Sequence, residues 1–137
     1  MAPASTSDKY PPPEAFKQSI TIIVGSGVNQ ETFNIHKGVV GFYSGYFEGA
    51  LRGTFAEALS CKIRLAEEDA TTFSLFVHWL YTRKIHVSDE AADHEQTFET
   101  LCDLWLFADR RQVPLLMNAC IDALRDAIVK AWVVPTS

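Results

Sequence analysis

Ser44 and His36 are the residues whose types would suit covalent catalysis, since a serine nucleophile requires a base within hydrogen-bond reach. Residues 41–45 read GFYSG, which is similar to the G-x-S-x-G turn that carries a nucleophilic serine after a strand. The serine is, however, the third residue after the glycine rather than the second, and no strand is predicted before the turn. The sequence therefore favours a structural Ser44, and a small serine hydrolase stays only as a remote alternative.

Two glycines, Gly25 and Gly27, follow a β-branched run, as in a phosphate-binding loop. A dinucleotide loop needs a third glycine and a helix directly after it. Here the third glycine is missing, and the next segment alternates like a strand. The spacing therefore predicts no nucleotide site.

Residues that could ligate a metal are present but poorly spaced. Cys61, Cys102 and Cys120 form no CxxC or CxxH pair, so the sequence predicts no zinc site. Residues 88–95 are acidic but lack the ladder of acids and the glycine of a calcium loop. All three cysteines lie in apolar patterns, which predicts buried free thiols in a reducing compartment. We expect no metal and no cofactor.

The composition indicates a globular chain with an acidic balance. The 137 residues are 47% hydrophobic and carry a formal net charge of −5, which argues against a nucleic-acid-binding domain. No apolar run approaches the roughly 20 residues of a membrane helix. The first residues lack the basic start and the apolar segment of a signal peptide. We therefore expect an intracellular protein, cytoplasmic, nuclear or both, that binds neither nucleic acid nor a membrane.

The first half of the chain predicts a small sheet and two short helices. The β-branched residues 19–24 and the alternating residues 32–35 read as a hairpin. Residues 36–47 have helical spacing with a break at Ser44, which is expected to cap the second helix. His36 is interpreted as a structural residue that bonds nearby backbone. Residues 61–65 alternate as a half-exposed strand.

The second half predicts three longer helices. Asp69 is a suitable N-cap for the first, and Pro114 suits the first turn of the last, which is expected to end near Lys130. Residues 84–87 are expected to add a short strand. The predicted core stripes are Phe73, Phe76, Val77, Leu80 and Tyr81 in the first helix, Phe98, Leu101, Cys102, Trp105 and Ala108 in the second, and Leu116, Ala119, Cys120, Ala123, Leu124 and Ala127 in the third.

Together these elements predict an α+β fold in which five to six helices cluster beside a small three-stranded sheet. Residues 1–14 are rich in proline and serine and are expected to form a disordered leader. The folded domain is expected to span residues 15–130. Residues 131–137 form a short tail.

The order of these motifs resembles that of the BTB/POZ domain over about residues 19–128. Among its members, the small fungal-type proteins are the most similar in character. The matching runs are FNIHK at residues 33–37, SGYF at 44–47, WLYT at 79–82, and Ala108-Asp109 followed by VPLL at 113–116. Glu57 precedes the strand at residues 62–65, as in the family. Arg83 stands where the family has a glycine.

The resemblance implies a non-enzymatic protein–protein interaction module, and many such domains dock cullin-3 as adaptors of a ubiquitin ligase. Cullin-binding members resemble one another in a hydrophobic-x-Glu motif, which appears here as Phe55-Ala56-Glu57. We therefore expect partner-binding residues at Phe55, Glu57, Tyr46 and Leu51, with an exposed aromatic as anchor. The alternative is a homo-oligomerising scaffold domain without a ligase role.

The N-terminal region departs from the dimeric transcription-factor members. Their leucine-rich first helix, which exchanges between protomers, is replaced here by the proline-rich leader. The residue that opens the first strand is also changed, with Gln18-Ser19 in place of the usual aspartate. A monomer or a weak dimer is therefore expected.

Overall fold

The computed structural model describes residues 10–52, 61–87 and 94–132. Its strands and helices are, in chain order, β1 Ser19–Val24, β2 Glu31–His36, α1 Lys37–Tyr43, α2 Gly45–Ala50, β3 Lys62–Leu65, α3 Ala70–Thr82, α4 His94–Arg110 and α5 Pro114–Trp132. Two short 3-10 turns lie at Pro13–Phe16 and Gly27–Asn29. This arrangement confirms the predicted α+β fold of a helical cluster beside a small sheet.

The described strands form one sheet in the order β2-β1-β3. The predicted hairpin is confirmed, because β1 pairs antiparallel with β2 and places Ile22 opposite Phe33. On its other edge β1 runs parallel to β3, with Ile22 opposite Ile63. A parallel pair needs a long crossover, and α1 and α2 lie within the segment that connects β2 to β3. The start of α1 directly follows the end of β2.

Residues 10–17, here called the N-terminal strap, pack on α1. Pro13 and Glu14, which the sequence analysis placed in the leader, belong to a 3-10 turn. Ala15 is buried against Gly38, where an added Cβ would lie 2.7 Å from the carbonyl oxygen of Ala15. Directly after the strap, the carbonyl of Gln18 accepts a 2.7 Å hydrogen bond from the amide of Lys37 in α1. The strap is thus fixed to the helix beneath it.

Helix α3 begins as predicted, because the carboxylate of Asp69 accepts a 2.9 Å bond from the amide of Thr72. Its core stripe differs from the prediction, since Trp79 is buried and Tyr81 is 44% exposed. Trp79 packs edge-on against the buried Tyr43 of α1, with ring centroids 5.1 Å apart. Because α1 packs on the side of α3 that carries Trp79, this residue is covered and Tyr81 is left partly exposed.

Arg83 ends α3 in the left-handed conformation, with φ 62°, that favours glycine. Its guanidinium lies 4.7 Å from the ring centroid of Tyr43 and 4.6 Å from that of Trp79. It also donates a 2.8 Å hydrogen bond to the hydroxyl of Tyr43. These contacts offset the backbone cost of an arginine at a glycine position.

The short strand predicted at residues 84–87 does not form; this segment is irregular. The hydroxyl of Thr82 accepts a bond from the amide of Lys84 and contacts the carbonyl of the same residue. Such local bonds occupy the groups that a strand would pair with a neighbour. The prediction of a fourth strand-like element was wrong for this reason.

Helix α4 also presents a different face from the one predicted. Cys102 is exposed and Cys61 is only partly buried, which corrects the prediction that all three cysteines are buried; Cys120 is buried as predicted. Leu104 and Phe107 are fully buried. The helix packs on both α3 and α5, so its covered face is wider than a single stripe. The buried residues of α4 are Leu101, Leu104, Phe107 and Ala108.

Candidate protein-interaction surface

Ser44 is fully buried at the junction of α1 and α2. Its hydroxyl accepts a 3.1 Å bond from the amide of Phe47, which confirms the predicted helix cap. The same hydroxyl donates a 2.6 Å bond to the carbonyl oxygen of Arg111. A hydroxyl that is buried and already bonded on both sides is not available to attack a substrate, so the geometry contradicts a nucleophilic role for Ser44.

His36 has a structural position, as predicted, but its bonding partner differs. Its ring Nδ1 lies 2.8 Å from the hydroxyl of Tyr81, and its backbone amide donates a 2.9 Å bond to the same oxygen. The expected backbone partner is thus a side chain 45 residues away. Phe16 of the strap packs edge-on against the imidazole, with centroids 5.3 Å apart.

The start of α2 is bound to the turn between α4 and α5. The amide of Gly45 donates a 2.9 Å bond to the carbonyl of Gln112, whose own φ is 57°. A Cβ on Gly45 would lie 2.7 Å from the side-chain oxygen of Gln112, so this position has room only for glycine unless that side chain moves. The orientation of α2 therefore depends on a turn far along the chain.

Tyr46, one of the four predicted partner-binding residues, lies half-buried in the first turn of α2. The guanidinium of Arg111 stacks on its ring at 4.4 Å from the centroid. A partly exposed aromatic ring with one face covered can still contact a partner through its exposed edge or opposite face.

A buried acid, Glu68, holds that arginine in place. Glu68 is 5% exposed and accepts a 2.9 Å bond from Nε of Arg111 and a 2.7 Å bond from Nη2 of Arg110. The sequence analysis did not identify this pairing. The adjacent residues Arg110 and Arg111, a local concentration of positive charge, were the available signal in the sequence.

The other predicted partner-binding residues differ in what the structure describes. Leu51 is 6% exposed and packs in the hydrophobic core. Phe55 and Glu57 lie outside the described residues, so their role stays a prediction. Tyr46 is therefore the predicted site residue for which the structure describes a partly exposed side chain.

An apolar groove of about 630 Å³ lies between the N-terminal strap and helices α1 and α2. Phe42 and Leu51 line it, as do Glu48 and Arg52, which form an ion pair with a separation of 2.8 Å. Sequence analysis missed this groove because it treated the strap as disordered. An open apolar groove on a folded domain is typical of a protein-docking surface.

Neither a metal nor a membrane is indicated by the described residues. No three or more His, Cys, Asp or Glu side chains in this part of the chain lie together as metal ligands. None of its helices combines the length and apolar character needed to cross a bilayer. Burial raises the pKa of the Cys120 thiol to about 12, with nearby Cys102 adding to the shift.

Comparisons with known proteins agree with this geometry. The family model described as BTB/POZ domain matches residues 14–127. A search of curated proteins found no match. Among solved structures, the chain is similar to the BTB domain of zebrafish PATZ1, with 20% identity, 77% of this chain and 75% of that chain covered, and a TM-score of 0.55.

The chain is also similar to the BTB domain of human Gigaxonin, with 14% identity, 75% of this chain and 74% of that chain covered, and a TM-score of 0.57. At such identities the two structures establish the fold alone. The family match spans most of the chain and includes both the sheet and the helical cluster. This protein belongs to the BTB/POZ domain family.

Proposed function

We propose that this BTB/POZ domain docks cullin-3 as an adaptor of a ubiquitin ligase in the cytoplasm or the nucleus. The family is one of protein–protein interaction modules. The observation that carries the proposal is the partly exposed Tyr46, whose ring is stacked on Arg111 in the first turn of α2. The hydrophobic-x-Glu motif, Phe55-Ala56-Glu57, lies a few residues after this helix.

Rigid aromatic side chains give large contact area at a low entropy cost, which is why they are common hot spots. Tyr46 is held from one side, so little ordering is left to occur on binding. Leu51, directly after α2, is buried in the core and so attaches the end of this helix to the domain. In this proposal Phe55 is the main anchor and Glu57 orients the partner.

Calorimetric titration with the purified N-terminal region of cullin-3 tests the proposal. We expect Tyr46→Ala and the double change Phe55→Ala/Glu57→Ala each to weaken binding at least about tenfold. Tyr10→Ala is the matched control, because Tyr10 is an exposed aromatic on the strap beside Arg83. Absence of measurable binding by the wild-type protein would remove the adaptor proposal.

The apolar groove favours a second candidate, a scaffold domain that associates with itself. In that case the groove beside Phe42 would be covered by a second copy. Sedimentation velocity over a concentration series separates the two candidates. Phe42→Glu is expected to abolish association, whereas Val28→Glu, at a fully exposed loop residue, is not. A protein that stays monomeric at high micromolar concentration would exclude the scaffold candidate.

A further inference from the structure

We propose that Glu68 and Arg111 are positioning residues that fix the ring of Tyr46 for docking, an inference that rests on the proposed function. Neither residue belongs to the predicted docking surface. They come from the turn before α3 and from the turn between α4 and α5. Together they link these two turns to one aromatic side chain of α2.

The buried carboxylate of Glu68 pairs with two arginines. Glu68 is almost fully buried, and both of its oxygens are used by arginines: Oε1 by Arg110 at 2.7 Å and Oε2 by Arg111 at 2.8–2.9 Å. A buried carboxylate is stable only with such partners, so it restricts the cations that pair with it.

The two arginines differ in exposure and in their contact with Tyr46. The side chain of Arg111 is 13% exposed and that of Arg110 is 51% exposed. Arg111 lies between the carboxylate and the Tyr46 ring, with its guanidinium 4.4 Å from the ring centroid. Arg110 pairs with the same carboxylate, and no stacking on Tyr46 is found for it. The chain therefore contains its own matched control.

The backbone of Arg111 holds the start of α2 separately from its side chain. The carbonyl oxygen of Arg111 accepts bonds from the hydroxyl of Ser44 at 2.6 Å and from the amide of Tyr46 at 3.4 Å. These bonds do not involve the side chain of Arg111. A substitution at position 111 can therefore release the ring of Tyr46 while the start of α2 stays attached.

The consequence is a docking residue that is ordered before the partner arrives. Ordering one long side chain on binding typically lowers affinity by about two- to tenfold. Loss of the stack is expected to weaken partner binding within that range. Glu68 acts one step further away, because without its carboxylate Arg111 has no fixed position above the ring.

The experiment compares Arg111→Met with Arg110→Met in the full chain. Selective ¹³C labelling of tyrosine rings, with the Tyr46 signal assigned by Tyr46→Phe, reports the ring directly and without a partner. We expect Arg111→Met to shift this signal and Arg110→Met to leave it unchanged. An unchanged Tyr46 signal in folded Arg111→Met overturns the inference. If Arg111→Met does not fold, Glu68→Gln and Arg111→Lys are measured in its place, with the same two outcomes.

Titration with cullin-3 then tests the role in docking. Arg111→Met is expected to bind about three- to tenfold more weakly than Arg110→Met. In a Tyr46→Ala background the Arg111→Met change should cause no further loss, because it acts through the ring. Equal losses with and without Tyr46 would contradict the inference. If the wild type does not bind cullin-3, the proposed function fails, and the ring signal alone decides whether Arg111 positions Tyr46.

Discussion

The hydroxyl of Tyr81 bonds both the backbone amide and the ring nitrogen of His36, and so joins the end of β2 to the last turn of α3. The amide donates to the hydroxyl oxygen, so the hydroxyl proton is free to point at Nδ1. One phenol thereby satisfies two polar groups at the junction of sheet and helices.

Removing that hydroxyl should weaken the domain. Tyr81→Phe keeps the ring, which packs edge-on against His36, and deletes both hydrogen bonds. We expect the free energy of unfolding to fall by about 1 kcal/mol, since the site is partly exposed to water. Urea denaturation measures the change. Tyr10→Phe, at an exposed tyrosine of the strap, is expected to change stability by less than about 0.5 kcal/mol. Equal stability of Tyr81→Phe and the wild type would contradict this role.

The neighbouring residues Leu106 and Phe107 should respond in opposite ways to truncation. Phe107 is fully buried and its ring lies 4.9 Å from Phe76 and 5.8 Å from Phe73. Phe107→Ala should cost about 3–5 kcal/mol of unfolding free energy, because it leaves a cavity among aromatic rings.

Leu106 is 49% exposed, so Leu106→Ala should cost about 0.5 kcal/mol or less. Thermal unfolding of both variants, followed by circular dichroism, provides the comparison. Similar melting temperatures for the two would mean that the described face of α4 is incorrect.

Two glycines in the short helices predict opposite effects of an added methyl group. Gly38→Ala would drive a Cβ into the backbone of Ala15, which cannot move aside as a flexible side chain can. We expect the N-terminal strap to detach or the domain to lose about 1–3 kcal/mol. Limited proteolysis near Lys17, together with urea denaturation, detects either result.

Gly49→Ala serves as the control, because nothing lies within 4 Å of the added Cβ and the residue is exposed in α2. Alanine has the better helix propensity, so this variant should gain up to about 1 kcal/mol. A strap that stays protected in Gly38→Ala, with unchanged stability, would refute the close packing described for Ala15.

The cysteines should differ sharply in reactivity. Only the thiolate is a nucleophile, and burial raises the pKa of Cys120 to about 12, whereas Cys102 is exposed. Iodoacetamide at about pH 8 should therefore label Cys102 and leave Cys120 unmodified, as judged by peptide mass spectrometry. Labelling in a denaturing concentration of urea is the control, and there all cysteines should react. Early modification of Cys120 in the native protein would be inconsistent with its burial.

The same shift predicts a loss of stability at alkaline pH. The folded pKa of Cys120 lies above the ordinary value of about 8.5, so the folded state keeps a proton that the unfolded state releases. Stability from this group is complete below about pH 8.5 and is lost as pH rises toward 12. Between about pH 8 and pH 10 the wild type should lose more unfolding free energy than Cys120→Ala. Parallel losses would show that Cys120 does not contribute.

Local signals in the sequence predicted much of the fold. The bounds of β1 were predicted as observed, and Ser44, Asp69 and Pro114 mark helix starts as expected. Each of these features depends on interactions between residues within about four positions, so a short stretch of sequence is enough to predict it. The hairpin was predictable for the same reason.

The features that depend on distant contacts were not predicted. Burial of Trp79 and exposure of Tyr81 depend on where α1 lies, and the pairing of Glu68 with Arg111 joins residues 43 positions apart. When a helix packs on two neighbours, the periodicity of its apolar residues does not show which of two overlapping apolar faces is buried. In α4, Cys102 was predicted to be buried but is exposed. At the candidate site, residue types suggested Tyr46, but nothing near it in sequence indicated which cation would lie on its ring.

The bond from Ser44 to the carbonyl of Arg111 closes a loop of 67 residues. During synthesis the ribosome must therefore release the chain well beyond residue 111 before α2 can reach its final position. Until then the first turn of α2, which carries Tyr46, lacks the bonds that Ser44, Gly45 and Tyr46 make to residues 111 and 112. A chain truncated before residue 111 would lack these anchors, so the final placement of Tyr46 depends on a segment that is synthesised late.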